Sequence, residues 1–372
     1  MSGPLSGLIV ADFSRVLAGP YASMLLGDLG ADVIKVERPG TGDDTRAWGP
    51  PWRDGESTYY LSLNRNKRSV VLDLSSEDDR ALARALGQRA DVMIESFRPG
   101  LMASWGLDGD SLRTVNPRLV SCSVTAFGSG EAAAGLPGYD FLLQAMGGLM
   151  SVTGEPEGRP LKAGAAVVDL ICGLLATIGI QAALAGGGGQ HVELSLMDSA
   201  LAALLNQGSA WVAGGVVPGR RGNRHPSIVP YETYEASDRP FAVAVGNDRL
   251  FARLCVAVGL PRLADDARFA TNDARVANVD ALAAELNAVF GAAPASHWVD
   301  VLRGANVPVG PINAVDEAFA LAAELEMEPV DDSHRVPLIT PPWRMDGARP
   351  PIRRPPPKLD EHGDEIRRWL AG

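Results

Sequence analysis

Hydrophobic positions are spread unevenly along this chain, and the longest run of them lies near its middle. Residues 170–185 (LICGLLATIGIQAALA) carry no charge, only Thr177 and Gln181 among apolar side chains, and four glycines follow. A run of sixteen is too long for an ordinary strand and predicts a helix buried in a core, stopped by the glycines. It falls short of the roughly 20 apolar residues that a bilayer span needs.

Upstream, short apolar runs alternate with amphipathic ones. Residues 8–13 (LIVADF) predict a buried strand, 19–29 (GPYASMLLGDL) a helix with Pro20 near its first turn, and 32–37 (DVIKVE) a second strand. The right-handed crossover of such a βαβ unit makes its strands parallel neighbours. Ligands gather at the carboxyl ends of such strands, here near residues 14–18 and Arg38. The βα rhythm continues through 64–74, where Arg65, Lys67 and Arg68 stand just before an apolar strand, a helix at 81–89, strands at 91–94 and 119–125, and a helical stretch opened by Tyr139 and Asp140. After the glycines, 191–196 (HVELSL) alternates as a strand and 197–207 is an Ala/Leu helix. Residues 39–52 (PGTGDDTRAWGPPW) have the composition of a loop rather than of a secondary element.

The pattern changes at 214–230 (GGVVPGRRGNRHPSIVP), which has no periodicity and reads as a linker between a first domain, 1–213, and a small domain, 231–320. The small domain opens with a hairpin turning at Ser237 and Asp238, followed by amphipathic helices at 248–258 and 279–290. Residues 321–372 return to the large domain, and the proline-rich stretch 340–359 within them must lie as an extended strap, since it joins neither a helix nor a sheet interior.

Composition adds limits. The chain has 372 residues, a net charge of −11 and a pI near 5.0, which argues against a nucleic-acid surface. An anionic ligand must therefore meet a local basic pocket. Cys122, Cys172 and Cys255 are far apart in apolar surroundings and the five histidines have no paired spacing, so neither a disulfide framework nor a metal site is expected. A reducing cytoplasm fits, and no signal peptide or membrane partner is expected.

Two features point to chemistry. Asp169, the sole acid between Glu157 and Glu193, stands at the entrance of the long apolar run. It reads as an N-cap, as a nucleophile or base, or as both, because a helix N-terminus also fixes a carboxylate and holds it ionised. Small residues at 163–166 and in the segment GGLM leave room for backbone N–H groups beside an oxyanion. The second feature is Arg65, Lys67 and Arg68, either a phosphate cradle or a solvated turn. The segment DFSRVLAGP is no GxGxxG, so a dinucleotide enzyme is disfavoured.

Together these pieces resemble the family III CoA-transferases, the group of formyl-CoA, carnitine and bile-acid CoA-transferases that also contains the α-methylacyl-CoA racemases. The likeness spans nearly the whole chain. It is carried by LIVADFSRVLAGPYASMLLGDLGADVIKVERPGTGDDTR, NRNKRSVVLDL, ESFRPG, GYDFLLQAMGGLMSVTG, the Asp169 segment, GQHVELSLMDSAL, RRGNRHPSIVPYETY and PPPKLDEH. The resemblance implies an α/β fold: a Rossmann-like large domain with a parallel sheet, a smaller α/β domain, and two subunits interlocked as a homodimer.

It also implies that Asp169 attacks an acyl-CoA thioester to give an aspartyl anhydride, that CoA thiolate converts this to an aspartyl-CoA thioester, and that a carboxylic acid acceptor leaves as the new acyl-CoA. CoA is then a substrate and no cofactor is bound permanently. CoA is expected on Leu17, Ala18, Arg38, Leu72, Asp73, Leu74, Ser75, Ser96, Phe97, Arg98, Tyr139 and Asp140. The chain departs from the family at Leu136 and Pro137, where a basic residue is common, at Ser96, often Asn, and at Leu17, often Gln. The racemase branch has His where Tyr139 stands and Glu in the segment matching VGNDR at 245–249. A tyrosine, with an ordinary pKa of about 10, is a poor base, so the transferase branch is favoured over racemase chemistry and over a CoA-binding protein without catalysis.

Overall fold

The computed structural model describes residues 3–133 and 135–372; Met1, Ser2 and Ala134, the last in the loop before Tyr139, lie outside the described residues. The chain forms two compact units, Met1–Leu149, Lys162–Val216 and Glu328–Gly372 in one, Met150–Leu161 and Val217–Met327 in the other. Residues 150–161, expected within the first domain, thus group with the second, and the return falls at Glu328 rather than at 321.

The first unit is built on six parallel strands, β1 (Ile9–Phe13), β2 (Asp32–Glu37), β3 (Lys67–Val71), β4 (Val92–Glu95), β5 (Val120–Thr125) and β6 (His191–Ser195), in the order β3-β2-β1-β4-β5-β6. This is a doubly wound order, and the chain reverses direction across the sheet between β1 and β4. Alternation along the strands sends Val10, Val33, Val92 and Ile94 to one core, and Ala11, Phe13, Ile34, Val70 and Met93 to the other. Helices α1 (Ala18–Asp28) and α2 (Glu77–Arg89) cover opposite faces, Ala22 and Leu26 in the first core, Ala83 and Leu86 in the second. The C-terminal helix Gly363–Ala371 adds Ile366 and Leu370 to the second core, so both chain ends build one unit.

The α3 helix (Asp140–Met146) leads towards α4 (Val167–Ala185), which contains the long apolar run. Val168, Cys172, Ala176, Ile180 and Ala183 of α4 enter the first core. A side chain at Gly173 would bring Cβ to 2.7 Å from the carbonyl oxygen of Ala18, which explains a glycine inside this helix. The sequence predicts a helix buried in a core, but in this unit one side of it is open: Leu174 and Ile178 are exposed. The helix expected at 197–207 is two, α5 (Leu196–Ala203) and α6 (Leu205–Val212), broken where Leu205 takes a φ of 41°. The loop at 39–52 does contain structure, a turn of 3₁₀ helix at Asp44–Ala47 whose first amide at Thr45 is capped by Asp43.

The proline strap lies along the first unit. Asn66 Oδ1 accepts from the amides of Arg353 and Arg354 at 2.6 and 3.1 Å, and the Arg353 guanidinium donates to the carbonyls of Gly27 and Ala31 at 2.7 and 2.8 Å, covering the end of α1. The second unit has an antiparallel sheet of β7 (Tyr231–Glu235), β8 (Pro240–Ala244) and β9 (Val309–Pro311), with Phe241, Phe251, Phe290 and Trp298 in its core.

Candidate active site

Where the sheet reverses, the turns after β1 and β4 part and leave a cavity of about 290 Å³. Arg15, Val16, Leu17, Ala18, Ser96, Phe97, Arg98, Leu136, Pro137, Tyr139 and Asp169 are on its wall. A second cavity of about 200 Å³ opens beyond β2 and β3, lined by Phe13, Arg38, Leu72, Asp73, Leu74, Ser75, Phe97 and Trp105 among others. Arg15 and Phe97 belong to both walls. Phe97 stands edge-on to Trp105 at 5.7 Å, with the Arg15 guanidinium 5.3 Å from its ring centre. Asp44 pairs with Arg38 and lies 3.7 Å from Arg15.

Asp169 and eleven of the twelve residues expected to hold CoA therefore come together on these two walls, and Asp140 does not. Asp140 is turned into the protein, where Oδ1 accepts from the amides of Val168 and Asp169 at 2.8 and 3.2 Å. Its Oδ2 accepts from Gln144 Nε2 at 2.6 Å, and Gln144 Oε1 in turn accepts from the Ala163 amide at 2.9 Å. Asp140 thus caps α4 from a distance. The N-cap reading of Asp169 is corrected accordingly: the helix begins two residues earlier and Asp169 lies in its first turn.

The electrostatic expectation for Asp169 is reversed as well. Burial first, and then the charge of Asp140, push its carboxyl up to about 7. A helix N-terminus favours an anion, but here another carboxylate already occupies that end. Tyr59, which the sequence did not single out, lies within the field of the same pair: burial and then Asp169 and Asp140 push its phenol up to about 12. The amides of Ala163, Val168 and Asp169 are engaged, so they are not free oxyanion donors.

The basic cluster at 65–68 is neither a phosphate cradle nor a solvated turn. Arg65 pairs with Asp28 at 2.6 Å, Lys67 with Asp12 at 3.0 Å, and Arg68 with Asp32, and all three cations are buried. Their partners lie on β1, α1 and at the start of β2, too far along the chain for local sequence to reveal.

The chain matches the model of CoA-transferase family III over residues 5–363. It is a family III CoA-transferase. This CoA-transferase is 44% identical to the succinate–glutarate CoA-transferase of Agrobacterium fabrum, covering 98% of this chain and 94% of that one. Against the acetyl-CoA:oxalate CoA-transferase of Acetobacter aceti the identity is 42%, covering 99% and 96%. The crystal structure of a CaiB/BaiF family protein from Brucella suis superposes with a TM-score of 0.88 at 43% identity, over 100% of both chains. The acyl-CoA and carboxylate substrates expected from sequence are those of a CoA-transferase. In this family III CoA-transferase the departures at Leu17, Ser96, Leu136 and Pro137 all fall on the wall of the cavity that Asp169 lines.

Proposed function

We propose that this CoA-transferase works through Asp169 as nucleophile and takes dicarboxylic acids as acceptors. The observation that carries the reading is a buried carboxyl on the cavity wall, raised to about 7 with a second carboxylate behind it. A carboxylate is a weak nucleophile, and a higher proton affinity makes it a stronger one. Its attack on a thioester carbonyl expels CoA thiolate and leaves a neutral aspartyl anhydride, which relieves the repulsion from Asp140. The thiolate then attacks the aspartyl carbonyl, releases the first carboxylic acid and forms an aspartyl-CoA thioester. The acceptor carboxylate repeats the two steps in reverse and departs as acyl-CoA, restoring the Asp169 carboxylate.

Burial of Asp169 serves this chemistry by excluding water, which would hydrolyse an anhydride. Leu17 precedes α1 without a side-chain cap, and the amides of Ala18 and Gly19, ahead of Pro20, have no intrahelical acceptor. They are the proposed oxyanion donors. The apolar slot between Leu72, Leu74, Phe97 and Trp105 suits the adenine of CoA, and Arg38 suits its phosphates. The relatives named above act on succinate, glutarate or oxalate, and Arg15 and Arg98 are cations on the cavity wall able to meet a second carboxylate.

Exposed Phe141 and Met146 of α3, Leu174 and Ile178 of α4, and Leu201 of α5 support a homodimer, the interlocked form being the one proposed. Light scattering that returns a monomer mass rules the dimer out. All three cysteines are free and buried, in keeping with the cytoplasm as the proposed compartment. For the chemistry, Asp169→Ala should abolish transfer from succinyl-CoA to glutarate or oxalate while still binding CoA, and the peptide containing Asp169 should gain acyl or CoA mass in the wild type. An active Ala variant together with an unmodified peptide contradicts the mechanism.

A further inference from the structure

Val16 sits on the cavity wall with a φ of 71°, a left-handed conformation that a β-branched side chain rarely adopts. Such strain persists only where the surroundings hold it. What holds it lies below. The register that sets Asp12 beside Lys35 brings the Lys35 ammonium under the end of β1, where it donates to the carbonyl of Ser14 at 3.0 Å and pairs with Asp43 at 2.8 Å. Asp43 reaches back: its Oδ1 accepts from the Val16 amide at 3.4 Å, besides the Thr45 amide and hydroxyl at 2.9 and 2.7 Å. From the other side Ser96 Oγ accepts from the Arg15 amide at 3.0 Å. Both Lys35 and Asp43 are buried; of the other acids near Lys35, Asp12 is paired with Lys67 at 3.0 Å and Glu37 is held by Arg46 and Ser69.

The turn has no slack. A side chain at Gly19 would meet Ser14 Cβ at 2.3 Å, and Gly42, at a φ of 65°, lets the Asp43 amide donate to Glu37 Oε2 at 2.9 Å. Lys35 and Asp43 line the second cavity and hold Ser14 and Val16 beside the first, so one ion pair links the two walls through the turn.

We infer that the buried Lys35–Asp43 pair is a positioning device for the acyl-CoA site, holding the Ser14–Val16 turn in its strained form so that the first turn of α1 stays on the cavity wall. Neither residue touches the reacting atoms; both act through the turn. The inference rests on the CoA-transferase reading of that cavity.

The test separates position from stability. In Lys35→Met/Asp43→Asn both charges go together, and Asp12, the other acid that Lys35 faces, keeps Lys67 at 3.0 Å, so no charge is orphaned. The double variant should keep a Tm close to wild type, yet bind CoA at least tenfold more weakly by calorimetry and show a raised KM for succinyl-CoA with a smaller change in kcat. Adding Val16→Gly should bring the Kd back towards wild type, since glycine takes a positive φ without strain. A stable double variant with unchanged Kd overturns the proposal, and so does a weakened one that Val16→Gly fails to restore. If the double variant does not fold, Asp43→Asn alone carries the same two outcomes. A wild type that transfers no CoA defeats the parent reading instead, whatever the variants do.

Discussion

Asp12 and Asp169 are both aspartates buried in the first unit, at 0% and 7% exposure, yet they behave as opposites. For Asp12 burial alone would push the carboxyl up, but Lys67, Lys35 and the hydroxyls of Ser14 and Ser23 together hold it well below the usual range. Among the described residues no cation offsets the burial of Asp169, and the charge that acts on it is that of Asp140. One acid is fixed in its charged form and serves as structure. The other is kept near the point of losing that charge, as the proposed nucleophile would be. The difference comes from which charges lie within reach, not from how deep the group is.

The comparison breaks most visibly by stranding Asp12. Lys67→Met leaves it with Lys35 and two hydroxyls but removes the ammonium 3.0 Å away, and should destabilise the protein by about 3–5 kcal/mol. Urea unfolding at pH 7 measures it. A loss under about 1 kcal/mol means that the pair is no more than a surface-like contact, and the contrast with Asp169 fails.

Neutralising Asp169 should do the reverse. Its carboxyl titrates near 7 in the folded chain against an ordinary 3.8, so between these values the folded protein holds a proton that the unfolded chain has lost. Its contribution is therefore most favourable below about pH 4 and declines as the pH rises to 7, staying low above that. Asp169→Asn removes the decline. Relative to wild type it should gain about 1–3 kcal/mol at pH 8 and nearly nothing at pH 4. Equal differences at the two pH values would show that Asp169 is not raised.

Much of this contrast was open to sequence reading, and its decisive part was not. A lone acid at the head of an apolar run marked Asp169, and the strand ends near 14–18 and Arg38 marked the walls, because both follow from local pattern. The parallel pairing of the first two strands followed from the βα rhythm, but the order of the six-stranded sheet did not. The capping of α4 by Asp140 joins residues 28 and 29 apart, and Lys67 meets Asp12 across 55. Such pairings depend on register and on helix packing, which no window of sequence contains. For the same reason the 65–68 cluster read as a ligand site or as solvent-facing, when the acids it neutralises were already in view on β1, α1 and β2.

Asp140→Asn probes the other side of the comparison. Asparagine keeps an oxygen for the Val168 and Asp169 amides, so α4 stays capped, but the charge behind Asp169 disappears. The acid limb of kcat/KM for acyl-CoA should then move down by about one pH unit, equivalent to about 1.4 kcal/mol, while loss of the bond from Gln144 Nε2 to Asp140 Oδ2 costs about 1 kcal/mol of stability. An acid limb that stays in place assigns the raised carboxyl to burial alone.

The smallest effect is expected at Ser23, and it asks whether Asp12 is held redundantly. Ser23 Oγ donates to Asp12 Oδ2 at 2.6 Å, but Lys67 donates to the same oxygen and the Ser14 amide to the other. Ser23→Ala should thus cost only about 1 kcal/mol, the worth of one hydrogen bond among several. A loss near that of Lys67→Met would mean that each partner is indispensable, and that Asp12 is as finely balanced as Asp169. A small loss supports the view drawn from the geometry: a structural carboxylate is secured several times over, whereas the charge that acts on Asp169 is that of Asp140 and raises its carboxyl.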